Sequence, residues 1–263
     1  MSDPFKIDSP TCISFSGGRT SAYMLWRVLQ SNGGLPPEAK ICFANTGKED
    51  EATLRFVDRC SKEWGVPITW VEYRAGPAFE VVSFETASRN GEPFEALITK
   101  KNYLPNPIAR FCTEELKVKT INRYLDSINF DADTMIGVRA DEPRRLPKLR
   151  ERGLLVPLAQ SGVTQAHVQQ FWRDQPFDLE LEFHNGVTAE GNCDLCFLKG
   201  AGQIMSLIQH KPSRAVWWAE MEQKIDATFR SDRPSYAEML KYSQEQMDMF
   251  DPNEEGIACF CGD

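Results

Sequence analysis

Residues 12–21 read Cys-Ile-Ser-Phe-Ser-Gly-Gly-Arg-Thr-Ser, and the fold turns on how this stretch is read. A short apolar run, Thr11 to Phe15, leads into a Ser-Gly-Gly turn. An amphipathic helical pattern then starts near Thr20 and runs through Leu25, Val28 and Leu29 to Gly33 and Gly34. Strand, glycine loop and helix start together make an anion site. Gly17 and Gly18 allow a tight turn that brings backbone N–H groups close to a ligand. The first helical turn leaves N–H donors without intrahelical partners, and the helix dipole adds positive charge there. Ser16, Thr20 and Ser21 offer hydroxyls to the same place.

Working outward, the first part alternates. Residues 11–15 read as strand, 20–31 as helix, 40–45 as strand, 51–64 as helix and 68–73 as strand. Leu54, Val57, Cys60 and Trp64 share one face of the second helix. This β-α-β-α-β order implies an open parallel sheet with helices on both faces, an α/β fold. Ligands on such sheets sit beyond the carboxyl ends of the strands. The glycine loop and Asn45-Thr46-Gly47 both fall at such ends. Residues 74–110 read as a long irregular loop or lid, 113–127 as helix and 133–138 as a buried strand followed by Arg139. Residues 164–173 read as a helix with Thr164 at its N-cap. Beyond Cys196 the pattern is helical over 200–210, 213–227 and 235–248. The expected division is a nucleotide-binding α/β domain, 1–190, and a mostly helical C-terminal region, 191–263, that carries a cysteine metal site.

Composition narrows the class. The chain has 263 residues, 41% hydrophobic and 26% charged, as expected for a water-soluble globular protein. No apolar run approaches the roughly 20 residues of a membrane span, and the first residues lack the apolar core of a signal peptide. The expected location is cytoplasmic, with no membrane partner. The net charge of −8 speaks against a broad electrostatic nucleic-acid surface but leaves room for a local one. Arg139, Arg144, Arg145, Lys148, Arg150 and Arg152 crowd one stretch, which reads either as a solvated basic loop or as an anion-facing one.

The eight cysteines fall into two groups. Cys12, Cys42 and Cys60 lie in apolar-periodic segments and read as small buried hydrophobes. Cys112, Cys193, Cys196, Cys259 and Cys261 sit near loops or element ends. Cys193-Asp-Leu-Cys196 is a C-x-x-C pair, open between zinc, an iron–sulfur cluster and a redox dithiol. With only three histidines in the chain, an all-cysteine site is favoured over a mixed one, and soft thiolates select iron–sulfur or zinc.

The loop has neither the Gly-Lys-Ser/Thr of a Walker A motif nor a dinucleotide fingerprint. Its Ser-Gly-Gly-x-x-Ser resembles the PP-loop of the adenine-nucleotide hydrolase-like superfamily, which includes ATP pyrophosphatases, thiolation enzymes and phosphoadenylyl-sulfate (PAPS) reductases. Over residues 10–200 the order of motifs resembles the PAPS/adenylyl-sulfate reductase family. Asn45-Thr46-Gly47 is similar to that family's Asp-Thr-Gly. Cys112-Thr-Glu-Glu-Leu-Lys117 is similar to its Cys-Cys-x-x-Arg-Lys, with Phe111 in place of the first Cys and one more residue before Lys117. Ile136-Gly-Val-Arg139 is similar to its Gly-x-Arg, Val156-Pro-Leu158 and Trp172 to its Pro-Leu and Trp pattern, and Gly191-Asn-Cys193-Asp-Leu-Cys196 to its Gly-Cys-x-x-Cys. The tail reads Cys259-Phe-Cys261 where the reductases carry Glu-Cys-Gly-Leu-His.

The resemblance implies an enzyme that binds an adenine nucleotide beside a [4Fe-4S] cluster. Ser14, Ser16, Gly17, Gly18, Arg19, Thr20, Ser21, Asn45, Thr46, Gly47 and Arg139 would bind the nucleotide, with Mg2+ as an optional companion. Cys112, Cys193, Cys196 and Cys261 would hold the cluster, with Cys259 the alternative fourth ligand. The first activity implied is reduction of PAPS or adenylyl sulfate (APS) to sulfite. Lys117 and Arg139 would neutralise anionic oxygens, Cys259 would serve as catalytic thiol and a thioredoxin-like protein as reductant. The alternative is ATP-dependent sulfur transfer by adenylylation, with a sulfur donor protein and a tRNA, DNA or metabolite acceptor. A non-catalytic nucleotide-binding iron–sulfur sensor or assembly subunit is the third reading. A homodimer is compatible with all three.

Overall fold

A computed structural model describes residues 3–181, 183–184, 187–188 and 190–244; Cys259 and Cys261 lie outside them. Five strands form the main sheet: β1 (Thr11–Ser14), β2 (Ala39–Asn45), β3 (Ile68–Arg74), β4 (Ala78–Val82) and β5 (Asp133–Ile136). Their spatial order is β4-β3-β2-β1-β5. β1, β2, β3 and β5 run parallel, and β4 pairs antiparallel with β3 at the edge. The expected α/β architecture is therefore present.

Helices cover both faces. α1 (Arg19–Asn32) and α2 (Glu51–Trp64) bury Met24, Leu25, Val28, Leu54 and Val57 against Ile13, Ile41 and Phe43. α4 (Lys119–Ser127) packs Ile121 and Leu125 onto Cys12, Cys42 and Val71 on the other face. Cys12, Cys42 and Cys60 are fully buried, in keeping with their reading as core residues. α7 (Gln165–Arg173) adds Trp172 to the first face, where its indole N–H donates to the Arg19 carbonyl at 2.9 Å. Thr164 caps it as expected, with its own N–H donating to His167 Nδ1 at 3.1 Å.

The stretch 74–110 departs from its reading as one long loop: it holds β4 and the helix α3 (Glu92–Lys101). Gly76-Pro77 hides a five-residue edge strand, and Gly91 and Pro93 in the sequence resemble breakers. Yet Pro is tolerated in a first helical turn, where its missing N–H costs nothing. Phe94, Leu97 and Ile98 give α3 its buried stripe. The helix read over 113–127 opens with a π-helical turn, Thr113–Val118, before α4. A π turn accommodates one residue more than the α register, and this one separates Cys112 from α4.

β5 leads through the short helices α5 (Leu146–Glu151) and α6 (Pro157–Gln160) to α7 and then to the two-stranded ribbon β6 (Phe183–His184) and β7 (Val187–Thr188). Three further helices follow: α8 (Ala201–His210), α9 (Ser213–Ile225) and α10 (Tyr236–Gln244). Their core includes Trp218, Phe229 and Tyr236 but also Tyr73, Phe94, Ile98 and Leu116 from the earlier part of the chain. The C-terminal helices thus complete a core shared across residue 190. No helix among the described residues is long and apolar enough to cross a membrane.

Candidate nucleotide and cysteine site

The strand order places a topological switch at β1: the chain moves from β1 to β2 and β3 on one side, and β5 returns on the other. The crevice beyond β1 and β5 is where such sheets bind ligands. Gly17 makes the turn there, with φ +80. A Cβ at this position would lie 2.7 Å from Thr53 Cγ2, so the glycine is required twice over. Gly18, expected to share the turn, has φ −96 and ψ 162. Those are ordinary extended values, so the turn belongs to Gly17. On the β5 side, a Cβ on Gly137 would lie 3.0 Å from Ser21 Cα, so that glycine lets the two loops close on each other.

The start of α1 has no side-chain cap and no acidic residue in its first turn. Its leading N–H groups and dipole are available to an anion. Ser21 braces the loop from inside: its hydroxyl accepts from Ser16 N–H at 3.2 Å, lies 2.9 Å from Ser16 Oγ and donates to the Gly18 carbonyl at 3.0 Å. Arg139 reaches the loop from β5, donating from Nη1 to Thr20 Oγ1 at 3.1 Å. Asp141 holds the same guanidinium at 2.9 Å and Glu142 lies 3.8 Å away. Arg139 is thus both placed at the site and ion-paired. Ser14 ends β1 beneath the loop. Arg19 is engaged elsewhere. It pairs with both Asp178 oxygens and donates to the Leu179 and Leu181 carbonyls. Its guanidinium thus clamps the 178–181 segment to α1.

The second loop is closed by its own residues. Asn45 is fully buried. Its amide donates to Glu72 Oε1 at 2.6 Å and to the Ser88 carbonyl at 2.8 Å, while its oxygen accepts from Gly47 N–H at 3.1 Å. The buried Glu72 carboxylate also accepts from Ser88 N–H and Oγ and pairs with Arg74 at 2.8 Å. A neutral donor at 45 suits that carboxylate; an aspartate would oppose it with like charge. This accounts for Asn45 where the similar family has Asp. Thr46 donates from N–H and Oγ1 to Glu49 Oε2, each at 2.8 Å. Asn45 and Thr46 therefore spend their polar groups on the turn and on Glu49.

Thr46 also touches the cysteines, with Oγ1 3.5 Å from Cys193 Sγ. Cys112, Cys193 and Cys196, with Thr46, Lys117 and Trp218 among their neighbours, line one cavity of about 20 Å³, enough for about one water molecule. Lys117 enters from the π-helical turn and lies 3.5 Å from Glu49 Oε1. Burial pushes the Cys193 thiol well above its ordinary range; Glu49 adds to this and Lys117 opposes it. The C-x-x-C segment is fastened to the second loop by a buried ion pair, Lys48–Asp194 at 3.1 Å, and by Asp194 N–H on the Lys48 carbonyl at 2.7 Å. Trp218 Nε1 donates to Asp194 at 2.9 Å, and Lys199 Nζ holds the carbonyls of Gly191 and Cys193 at 2.7 and 2.8 Å.

The three thiols form a soft donor set suited to iron–sulfur or zinc. As they stand, no three His, Cys, Asp or Glu side chains among the described residues converge closely enough to hold a metal ion. Lys48, Glu49, Glu72, Asp194 and Trp218 escaped the sequence reading. For Glu49 a signal existed: Thr46-Gly-Lys-Glu49 has the Thr-x-x-Glu spacing of a capping box, whose Glu returns to the first residue's N–H. Nothing local marks the others, because each is defined by a partner far along the chain.

A sequence profile of the phosphoadenosine phosphosulfate reductase domain matches residues 10–151. The chain is 33% identical over 205 residues to the uncharacterized nin region protein ORF290 of Escherichia phage lambda, covering 73% of this chain and 67% of that protein. It is 25% identical over 139 residues to the uncharacterized protein MJ0066 of Methanocaldococcus jannaschii, covering 52% of this chain and 24% of that one. Among solved structures, the U34-tRNA thiolase NcsA from Methanococcus maripaludis with its [4Fe-4S] cluster aligns over 99% of this chain and 81% of that chain. Its TM-score is 0.39 at 13% identity, too distant to argue from. The chain belongs to the phosphoadenosine phosphosulfate reductase domain family.

Proposed function

From that family membership we propose that the protein is an adenine-nucleotide enzyme of sulfur chemistry that activates an acceptor with ATP and transfers sulfur to it. One observation carries the reading: cysteines from two distant segments line a single cavity with Thr46 and Lys117, at the strand edge that also bears an uncapped glycine loop. The loop N–H groups, Thr20 and Arg139 bind the phosphates. An acceptor oxygen attacks the α-phosphorus, and the bond to pyrophosphate breaks as those donors take up its charge. Sulfide from a donor then displaces AMP from the activated acceptor: the new carbon–sulfur bond forms as the carbon–oxygen bond breaks, and the acceptor's oxygen leaves on AMP. Cys112, Cys193 and Cys196 would hold a [4Fe-4S] cluster, with Cys261 or Cys259 as a fourth ligand. When bound, such a cluster supplies iron that can polarise sulfur. Lys117, kept beside the cysteines by Glu49, supplies positive charge to an incoming anion.

The braced Ser16–Ser21 loop supports activation of ATP. A second reading, reduction of PAPS or APS to sulfite, is favoured by the family's description and needs a tail thiol such as Cys259 together with a thioredoxin-like reductant. A single experiment separates them. Protein purified without oxygen is assayed for iron, sulfide and zinc, then incubated separately with ATP and with each sulfonucleotide. Pyrophosphate and AMP from ATP support sulfur transfer; sulfite establishes reduction. Cys112→Ser, Cys193→Ser and Cys196→Ser variants should each lose iron and visible absorbance. Stoichiometric zinc without iron discards the cluster, and absence of turnover with every nucleotide leaves a binding protein.

A further inference from the structure

Residues 111–127 form one continuous helix interrupted by the π-helical turn Thr113–Val118. Its inward positions show the interruption. Leu125 and Ile121 pack onto the sheet, Leu116 is buried in the C-terminal core and Cys112 lines the cysteine cavity. These residues step back along the chain by four, five and four. An α-helix repeats at about 3.6 residues, so the step of five is absorbed by the π turn. A straight α-helix stepping back from Ile121 in fours would instead put Lys117 and Thr113 on that face. Leu116 and Cys112 would be turned away from it by one residue, ~100° around the axis.

π turns are rare, short and concentrated at functional sites. One side chain is placed to hold this one. Thr120 is fully buried, and its hydroxyl donates to the Glu115 carbonyl at 2.7 Å, five residues back. In an α-helix a threonine hydroxyl reaches the carbonyl four back, so the longer step matches the π register. It runs beside the backbone bond from Lys119 N–H to the Glu114 carbonyl, also five back. The outer side of the turn carries ion pairs, Glu115 with Lys119 at 3.1 Å and with Lys101 at 3.5 Å. Both lysine side chains are 43% exposed, so water screens those pairs and they hold the turn weakly. The Thr120 hydroxyl has no such competition.

We propose that Thr120 is a positioning residue of the cysteine site: its buried hydroxyl fixes the π register, and the register brings Cys112 and Lys117 to the cavity shared with Cys193 and Cys196. α4 itself is held, because Ile121 and Leu125 pack against Cys12, Cys42 and Val71. Loss of the register therefore falls on the part of the helix before it. Lys117 would leave its place 3.5 Å from Glu49 Oε1, and Cys112 its place in the cavity. The consequence for turnover rests on the sulfur-transfer reading above; the register does not.

The test is alkylation of the full chain by iodoacetamide, after metal has been removed by a chelator without oxygen, with each cysteine followed by peptide mass spectrometry. Thr120→Val keeps the shape of the side chain and loses its hydroxyl. Cys112 should react about threefold or more faster in that variant than in the parent, since exposure governs thiol reactivity. Cys60, fully buried elsewhere, should stay slow, which separates a turned helix from an unfolded protein. Thr120→Ser should restore the parental rate at Cys112. Deleting the exposed Val118 removes the residue that the π turn absorbs and closes the step of five to four. In that background Cys112 should keep the parental rate with Thr120 or with Thr120→Val. A Cys112 rate at or below the parent's in Thr120→Val overturns the proposal, as does failure of Thr120→Ser to restore it or a fast Cys112 when Val118 alone is deleted. Where Thr120→Val speeds Cys112 and Cys60 alike, the double variant decides: slow reaction at both supports the register, and fast reaction at both overturns it. Metal content and turnover with each nucleotide are recorded on untreated samples. A parent without metal or turnover defeats the sulfur-transfer reading and leaves the register to the alkylation rates. An active, metal-loaded parent whose Thr120→Val variant alkylates like it does the opposite.

Discussion

β1–α1 and β2–α2 are the same unit, a parallel strand running through a short loop into a fourteen-residue helix, yet they end differently. α2 is closed by its own residues: Asp50 accepts from Ala52 N–H at 2.8 Å and Glu51 stands in the first turn. α1 has no such cap and no acid. The first unit leaves its helix start without a side-chain cap, while the second uses its loop to hold other parts of the protein. Asp50 also pairs with Arg214 of α9, and Lys48 holds Asp194 beside the cysteines. One supersecondary design thus gives an uncapped helix start in one place and a braced platform in the other by changing a few loop residues.

Four substitutions test that contrast. Gly17→Val should be the most damaging, because it combines a left-handed backbone with a 2.7 Å approach to Thr53; a loss of about 4 kcal/mol is expected from strain and overpacking together. Urea unfolding measures it, and a parental midpoint would show that the loop is built otherwise. Asp194→Ala should cost about 3 kcal/mol, since it leaves Lys48 buried without its partner and removes the acceptor of Trp218 Nε1. The same denaturation experiment reads it, and a loss below about 1 kcal/mol would mean that the second loop is no platform.

Arg139→Ala should weaken ATP binding by about 2 kcal/mol, the worth of a charge-assisted hydrogen bond. Unchanged calorimetric affinity would reduce Arg139 to its pairing with Asp141. Gly18→Ala should be the mildest, within about 0.5 kcal/mol in stability, because its backbone angles suit any residue. A cost as large as that of Gly17→Val would show that the two glycines act together.

Much of this was legible along the chain. The apolar run before Ser16, the helical stripe after it and the spacing of the later strands imply the α/β sheet, because side-chain periodicity is local and the sheet is parallel. The glycine loop was legible for the same reason, although Gly17 and Gly18 look alike until their φ angles separate them. β4 and α3 were not legible. Their turn residues, Gly76-Pro77 and Gly91 with Pro93, read as loop chemistry, and the stripe of Phe94, Leu97 and Ile98 gains its meaning from Trp218 and Tyr73, far away in sequence.

The sequence by itself determined the fold class, the place of the glycine loop at a strand end and the sorting of the core cysteines Cys12, Cys42 and Cys60 from the others, since each depends on short-range pattern. Only the tertiary structure decided that Cys112 lines one cavity with Cys193 and Cys196, that Asn45 answers Glu72, that Arg19 clamps Asp178 and that Lys48 is neutralised by Asp194. Those facts are contacts between residues far apart along the chain. A buried charge is stabilised by its partner, and no local pattern states which partner folding will bring.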